Sequence, residues 1–145
     1  MLTRLIYISR SKLPEADVAQ GLRAISETAT ARNALLSITG ALLHTGSHFA
    51  QVIEGAPEDI DTLMASLYAD KRHDALQVIE QCPVEDRQFS AWMTVYNGRA
   101  RYIQGVLDAC LEQPDSPLGH RKLLQLFKEF SRDYLLIMHA PSRFG

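Results

Sequence analysis

Two polar side chains stand inside apolar runs, where such groups are costly: Tyr7 in LIYISRS (residues 5–11) and Gln51 in FAQVIEG (residues 49–55). A phenol both donates and accepts a hydrogen bond, and a primary amide offers a carbonyl acceptor beside N–H donors. A Tyr and Gln pair of this kind handles a proton and exchanges hydrogen bonds. Side chains alternate with period two along a strand. Leu5, Tyr7 and Ser9 therefore share one side of their run, as Phe49, Gln51 and Ile53 do of theirs, and both polar groups face a single pocket. An amide buried there without a partner costs on the order of 1–3 kcal/mol, so Gln51 must be hydrogen-bonded. Taken alone, Tyr7 reads as a half-buried sheet residue. Asn33, at the end of a helical stretch, reads alone as a C-cap, and Trp92 as a core aromatic.

Other candidates are basic. Arg32 and the cluster Lys71, Arg72, His73 suit phosphate oxygens through the guanidinium fork, and otherwise form a solvated loop. His44 and His48 flank a turn with no carboxylate or cysteine at ligand spacing, so they read as packing or surface residues rather than a metal pair. No GxGxxG fingerprint is present, so any dinucleotide would be bound by other means than the Rossmann turn. Cys82 and Cys110 stand far apart without a CxxC and read as free thiols of a reducing cytosol.

These residues need elements to position them. Leu2 to Ser9 reads as a strand, and the spacing of Val18, Leu22, Ile25 and Ala29 makes a helix from Glu15 to about Arg32 and Asn33. Ser37–His44 and His48–Ile53 form a hairpin around Thr45, Gly46 and Ser47. Ile60, Leu63, Met64 and Leu67 mark a second helix over Ala56–Tyr68, opened by Pro57 and acidic residues. Ala75–Val84 and Trp92–Tyr96 are two more strands. The order βαββαββ predicts an α+β, ferredoxin-like sandwich: a sheet with two helices on one face. Two C-terminal helices, Tyr102–Leu111 and Leu118–Met138, flank the break at Pro114–Pro117. The second carries Leu123, Leu126, Phe127, Phe130 and Tyr134, a stripe that must cover either the vacant sheet face or a second subunit.

The 145 residues, 46% of them hydrophobic, suit one soluble domain with an ordinary core. With 15 basic against 17 acidic residues, a net charge of −2 leaves no footprint for nucleic acid or anionic lipid. The N-terminal apolar run is too short for a signal sequence or a membrane span. A cytoplasmic protein is expected.

LIYISRS at residues 5–11, RNALLSITGALL at 32–43 and FAQVIEG at 49–55, with DKRH at 70–73 and FSAW at 89–92, together resemble a BLUF domain over roughly residues 1–98, about two thirds of the chain. The resemblance implies a blue-light photoreceptor holding FAD non-covalently. It places the flavin ring between the two helices, with Tyr7, Asn33 and Gln51 at its polar edge. It further implies that excitation passes an electron and a proton between Tyr7 and the flavin, that the Gln51 hydrogen bonds rearrange, and that Trp92 relays the change into the sheet. Arg32, Arg72 and His73 are expected at the ribityl and phosphate part. Residues 1–98 would be the flavin-binding domain, and 99–145 a helical extension that packs on the sheet or forms an oligomer contact.

Three positions depart from the family pattern. Thr94 takes the place usual for Met, which bears on signal transmission; His44 stands where Tyr is frequent, and Ser37 where Gly is frequent. With no stretch beyond the last helix for an effector, the expected protein is not an enzyme. It would form a homo-oligomer and signal to an unknown downstream partner protein. The alternative is a flavin-free ferredoxin-like protein-interaction module. An acylphosphatase reading rests on IQGV at 103–106 and fails, because Leu107, Asp108 and Ala109 replace the expected Arg and the segment reads as helical.

Overall fold

The computed structural model describes the backbone of residues 1–139 and the side chains of residues 1–132. Its elements are β1 (Leu2–Ser11), α1 (Val18–Leu35, entered through a tight turn at Glu15–Asp17), β2 (Thr39–His44), β3 (His48–Gly55), α2 (Pro57–Ala69), β4 (His73–Val84), β5 (Trp92–Asn97), α3 (Arg101–Glu112) and α4 (Pro117–His139). The βαββαββ order and the α+β sandwich are as the sequence predicts. The sheet runs β4-β1-β3-β2-β5, antiparallel except for the parallel β2 and β5 pair. IQGV lies within α3, which removes the phosphate-loop reading.

Alternation gives the sheet two different faces. On one, Leu5, Tyr7 and Ile53 pack against Ile60, Leu63, Met64 and Leu67 of α2, while Leu42, Phe49 and Trp92 pack against Leu22 and Ala29 of α1. On the other, Ile6, Ile8, Ala41, Leu43, Ala50 and Val52 meet Ile103, Val106 and Leu107 of α3 and Leu123, Leu126 and Phe127 of α4. Each fully buried aliphatic side chain contributes about 1.5–3 kcal/mol, so α3 and α4 are firmly seated. The C-terminal stripe thus covers the sheet as far as Phe130; the side chain of Tyr134 lies outside the described residues.

Of the boundaries that differ from the periodicity, three have a clear local reason. Helix α1 continues to Leu35, so Asn33 sits in its last turn and Leu36 takes the cap, its N–H reaching the Arg32 carbonyl and the next N–H, of Ser37, that of Ala34. Strand β2 begins at Thr39 because Ser37 turns the chain with φ 53°, a conformation that favours glycine. Strand β4 starts at His73, with a kink at Ala75 (φ 51°) next to a register shift opposite Ile8 and Arg10.

Gly40 shows how tightly the sheet is built beside the cleft. A Cβ at that position would stand 1.9 Å from the Val52 carbonyl oxygen, so no other residue fits.

Candidate functional site

Tyr7 and Gln51 are direct cross-strand partners on β1 and β3, with 2% and 3% exposure. Gln51 Nε2 donates to the Tyr7 hydroxyl at 2.6 Å. Trp92 Nε1 donates to Gln51 Oε1 at 2.8 Å. An indole N–H is a donor only, so Trp92 fixes which way round the amide sits: carbonyl toward Trp92, NH₂ toward Tyr7. The Tyr7 hydroxyl, accepting from Gln51, keeps its own proton free for another acceptor. Burial pushes the Tyr7 phenol well above its usual pKa; the Gln51 hydrogen bond and Arg32 oppose that shift, and Asp70 adds to it. Tyr7 is a neutral phenol at any physiological pH.

A cleft of about 460 Å³, counting the space open to solvent, lies over this chain of hydrogen bonds. Tyr7, Gln51, Trp92, Arg32, Arg72 and His73 all line it. The α1 wall is Ile25, Thr28, Ala29 and Arg32, spaced three and four apart, so one helical face builds it. Of the residues expected at the cofactor, all but Asn33 line the cleft; Asn33 is fully buried in the last turn of α1, and Lys71, His44 and His48 lie outside the lining.

Asn33 carries the clearest sign of a missing partner. Its Nδ2 is buried and makes no hydrogen bond among the described residues, and its Oδ1 meets only a long 3.5 Å contact from Arg32 Nε. A buried donor left unpaired is costly, and native structures avoid it. A planar heterocycle in the cleft with acceptors along one edge would take the spare Tyr7 proton, and Asn33 Nδ2, next in the chain to the wall residue Arg32, is a second unpaired donor among the described residues. The residues present fit a flavin ring.

Two of the basic candidates are already occupied. Arg72 forms a fork with Asp70, Nε to Oδ1 at 2.9 Å and a terminal nitrogen to Oδ2 at 2.6 Å, which holds the Asp70 carboxyl below its ordinary range. His73 is bonded at both nitrogens, Nε2 to the Leu67 carbonyl and Nδ1 to the Ser9 hydroxyl, each at 2.6 Å. Since a carbonyl only accepts, Nε2 carries the proton. His73 thus meets the cleft with its ring, set edge-on to Tyr7 and Phe49 at 6.1 Å. Of the basic residues that line the cleft, Arg32 is held least, among the described residues by the long Asn33 contact alone, and burial lowers its pKa without removing its charge.

Sequence reasoning did not single out Asp70, Ser9 or Glu54. The D-K-R spacing could have revealed the Asp70 fork; nothing in the sequence points to Glu54. Its fully buried carboxylate accepts from Thr39 Oγ1 at 2.8 Å and from the backbone N–H groups of Gln88 (2.7 Å) and Phe89 (3.1 Å). It pins the loop that leads into β5 and so helps to place Trp92.

An α+β sandwich with a Tyr, Gln and Trp chain under a cleft suited to a flat heterocycle defines a cofactor-binding sensor module. Residues 2–94 match the BLUF family, sensors of blue-light using FAD, and the chain belongs to that family. Over 91 residues it is 40% identical to the photoactivated adenylate cyclase subunit alpha of Euglena gracilis, a match covering 63% of this chain and 9% of that protein. The chain thus spans only a small part of the curated relatives it matches. The solved structure of BlrB, a BLUF protein in its dark state, aligns with TM-score 0.66 and 30% identity over 88% of this chain and 96% of that one. BlsA in its photo-activated state aligns with TM-score 0.72 over 88% and 95% of the two chains, and at 24% identity it attests the fold. No described helix is long and apolar enough to cross a membrane.

Proposed function

We propose that Tyr7, Gln51 and Trp92 are the photoactive set of this blue-light sensor, with the Gln51 amide as its two-position element. The observation that carries this is the unbroken chain from Trp92 Nε1 through Gln51 to Tyr7, at 2.8 and 2.6 Å. Bound FAD supplies the blue-light absorption and a one-electron acceptor. Asn33 would hold the polar edge of the ring through Nδ2, Arg32 the phosphate end, and His73 a wall of the site, with Arg72 kept beside it by Asp70. Tyr7 holds the mobile proton on its hydroxyl, kept there by burial. Turning the amide by half a rotation would point Oε1 at the Tyr7 O–H and set Nε2 against the Trp92 N–H, donor against donor. The Trp92 hydrogen bond belongs to one orientation only, and this makes the two arrangements distinct.

The route outward follows β5. Trp92 and Thr94 lie opposite Gly40 and Leu42, toward the cleft; a register shift follows, and Tyr96 pairs with Leu43 of the opposite face. There Tyr96 stacks on Phe130 of α4, ring centroids 4.9 Å apart. One strand therefore touches the switch at its start and α4 at its end. In this reading residues 1–98 form the flavin module, and residues 99–145 form the helical relay to a downstream protein or a second copy of the chain. The module senses and does not itself catalyse, and it works in the cytoplasm.

The test is an absorption spectrum of the FAD-loaded protein in the dark and directly after blue light. The expected result is a flavin band that moves slightly to the red and recovers in the dark. A flavin-loaded protein whose band does not move would refute the switch.

A further inference from the structure

Next to Trp92 is a contact that the switch itself does not use. Ser26 of α1 and Thr94 of β5 bring their hydroxyls to 2.6 Å of each other in a part-buried setting. Thr94 lies two residues beyond Trp92, so both side chains leave the strand on the cleft-facing side. Ser26 lies one helical turn from Leu22 and from Ala29, the two buried α1 residues that pack with Trp92. Among the described residues this is the sole side-chain hydrogen bond joining α1 to β5.

β5 needs such an anchor. It is an edge strand, held on one side only, by a parallel pairing with β2 whose register breaks immediately after Thr94. Parallel pairing is the weaker kind. The indole N–H must nevertheless stay 2.8 Å from Gln51 Oε1, and hydrogen bonds weaken steeply with misplacement. Resting on the reading of Gln51 and Trp92 given above, we propose that the Ser26 and Thr94 hydroxyl pair is a positioning device that holds the Trp92 indole on Gln51 and thereby sets how fast the light state decays. Deleting either hydroxyl leaves the amide and the flavin contacts in place and loosens the strand that carries the indole, so the return to the bonded arrangement slows.

The test uses the full chain loaded with FAD, recording dark recovery of the flavin band after a blue flash for Ser26→Ala, Thr94→Val, the double variant and Thr94→Ser. Thr94→Val keeps the branched shape and removes the hydroxyl; Ser26→Ala favours the helix and guards against a folding defect at Thr94. The expected result is recovery about five-fold slower in each single variant, the rate equivalent of ~1 kcal/mol. The double variant should be no slower than the singles, because one bond is lost either way, and Thr94→Ser should recover at the wild-type rate. Unchanged recovery in Ser26→Ala and Thr94→Val overturns the proposal, as does a double variant whose slowing is the product of the two. A Thr94→Ser variant as slow as Thr94→Val also overturns it, since packing would then be the cause. If the wild type binds FAD and does not cycle, the switch reading falls as well; if the wild type cycles and the hydroxyl-deleted variants recover at its rate, only the pair is refuted.

Discussion

Replacing Gln51 with Leu removes the amide while leaving a side chain of similar reach on β3. Two buried groups are then stranded: Trp92 Nε1 loses its acceptor at 2.8 Å, and the Tyr7 hydroxyl loses its donor at 2.6 Å. An unpaired buried donor costs ~1–3 kcal/mol, and leucine recovers part of that because no amide has to be desolvated. A net loss of ~1–2 kcal/mol lowers Tm by about 2–8 °C in a domain of this size. The variant stays folded, since ordinary domains hold ~5–15 kcal/mol, and it keeps FAD through Asn33 and Arg32. The light-induced shift disappears, because no amide is left to turn. Two assays read this. Difference spectra report the flavin, and the chain's single Trp gives one indole N–H resonance in a proton–nitrogen spectrum. In the wild type that resonance should move on illumination; in the variant it should sit at the unbonded position and stay there. A Gln51→Leu protein with a normal light shift would refute the assignment of the switch.

Tyr7→Phe should retain FAD and lose the photocycle; full cycling would move the donor role to Trp92 or Tyr96, as flash spectroscopy would reveal. Asn33→Ala should separate two quantities: flavin affinity falls about ten-fold, the equivalent of ~1.4 kcal/mol, while the flavin-free protein loses little stability because an unpaired buried N–H is removed. Titration with FAD and urea unfolding of the apoprotein check the pair, and a large apoprotein loss with unchanged affinity would contradict it. Burial lowers the His44 pKa, the Asn97 hydrogen bond opposes that shift, and Arg99 reinforces it. The folded state therefore binds that proton less tightly than the unfolded chain, and stability should decline as pH falls through about 6.5. Asp70 and Asp74, whose pKa values are depressed by Arg72 and Arg10, lose their contribution only below their ordinary value of 3.8. Urea midpoints at pH 7.5 and 5.5, taken for the wild type and for His44→Gln, isolate His44 from the other four histidines; an equal pH dependence in the two proteins would contradict the assignment.

Strand alternation alone put Tyr7 and Gln51 on one side of the sheet, and they prove to be direct partners. Helical spacing likewise found Leu22, Ile25 and Ala29, which face the cleft or pack beside it. What stayed hidden depends on distant neighbours. Glu54 reads as a charged residue at the end of a hairpin, yet its partners lie 34 and 35 positions later in an irregular loop. Ser26 and Thr94 are separated by 68 residues and are polar types common on any surface. A sequence does not say when a guanidinium is already engaged, so Arg72 reads there as free for phosphate although Asp70 holds its fork. Asn33 is a good cap in isolation, so the sequence ends α1 two residues short of Leu35; in the fold the Asn33 side chain is fully buried.

The two faces of the sheet carry different obligations. The cleft face is bound by hydrogen-bond geometry, where a single amide or hydroxyl has one acceptable place; the face under α3 and α4 is bound by volume and apolarity, which many combinations of aliphatic side chains satisfy. Substitutions should therefore be tolerated unequally on the two sides of the same strands. Ile6 and Val52 are free to drift among similar residues, while Tyr7 and Gln51, their immediate neighbours in the chain, are not. A lineage could exchange what rests on the second face, and with it the recipient of the signal, without disturbing the photochemistry on the first.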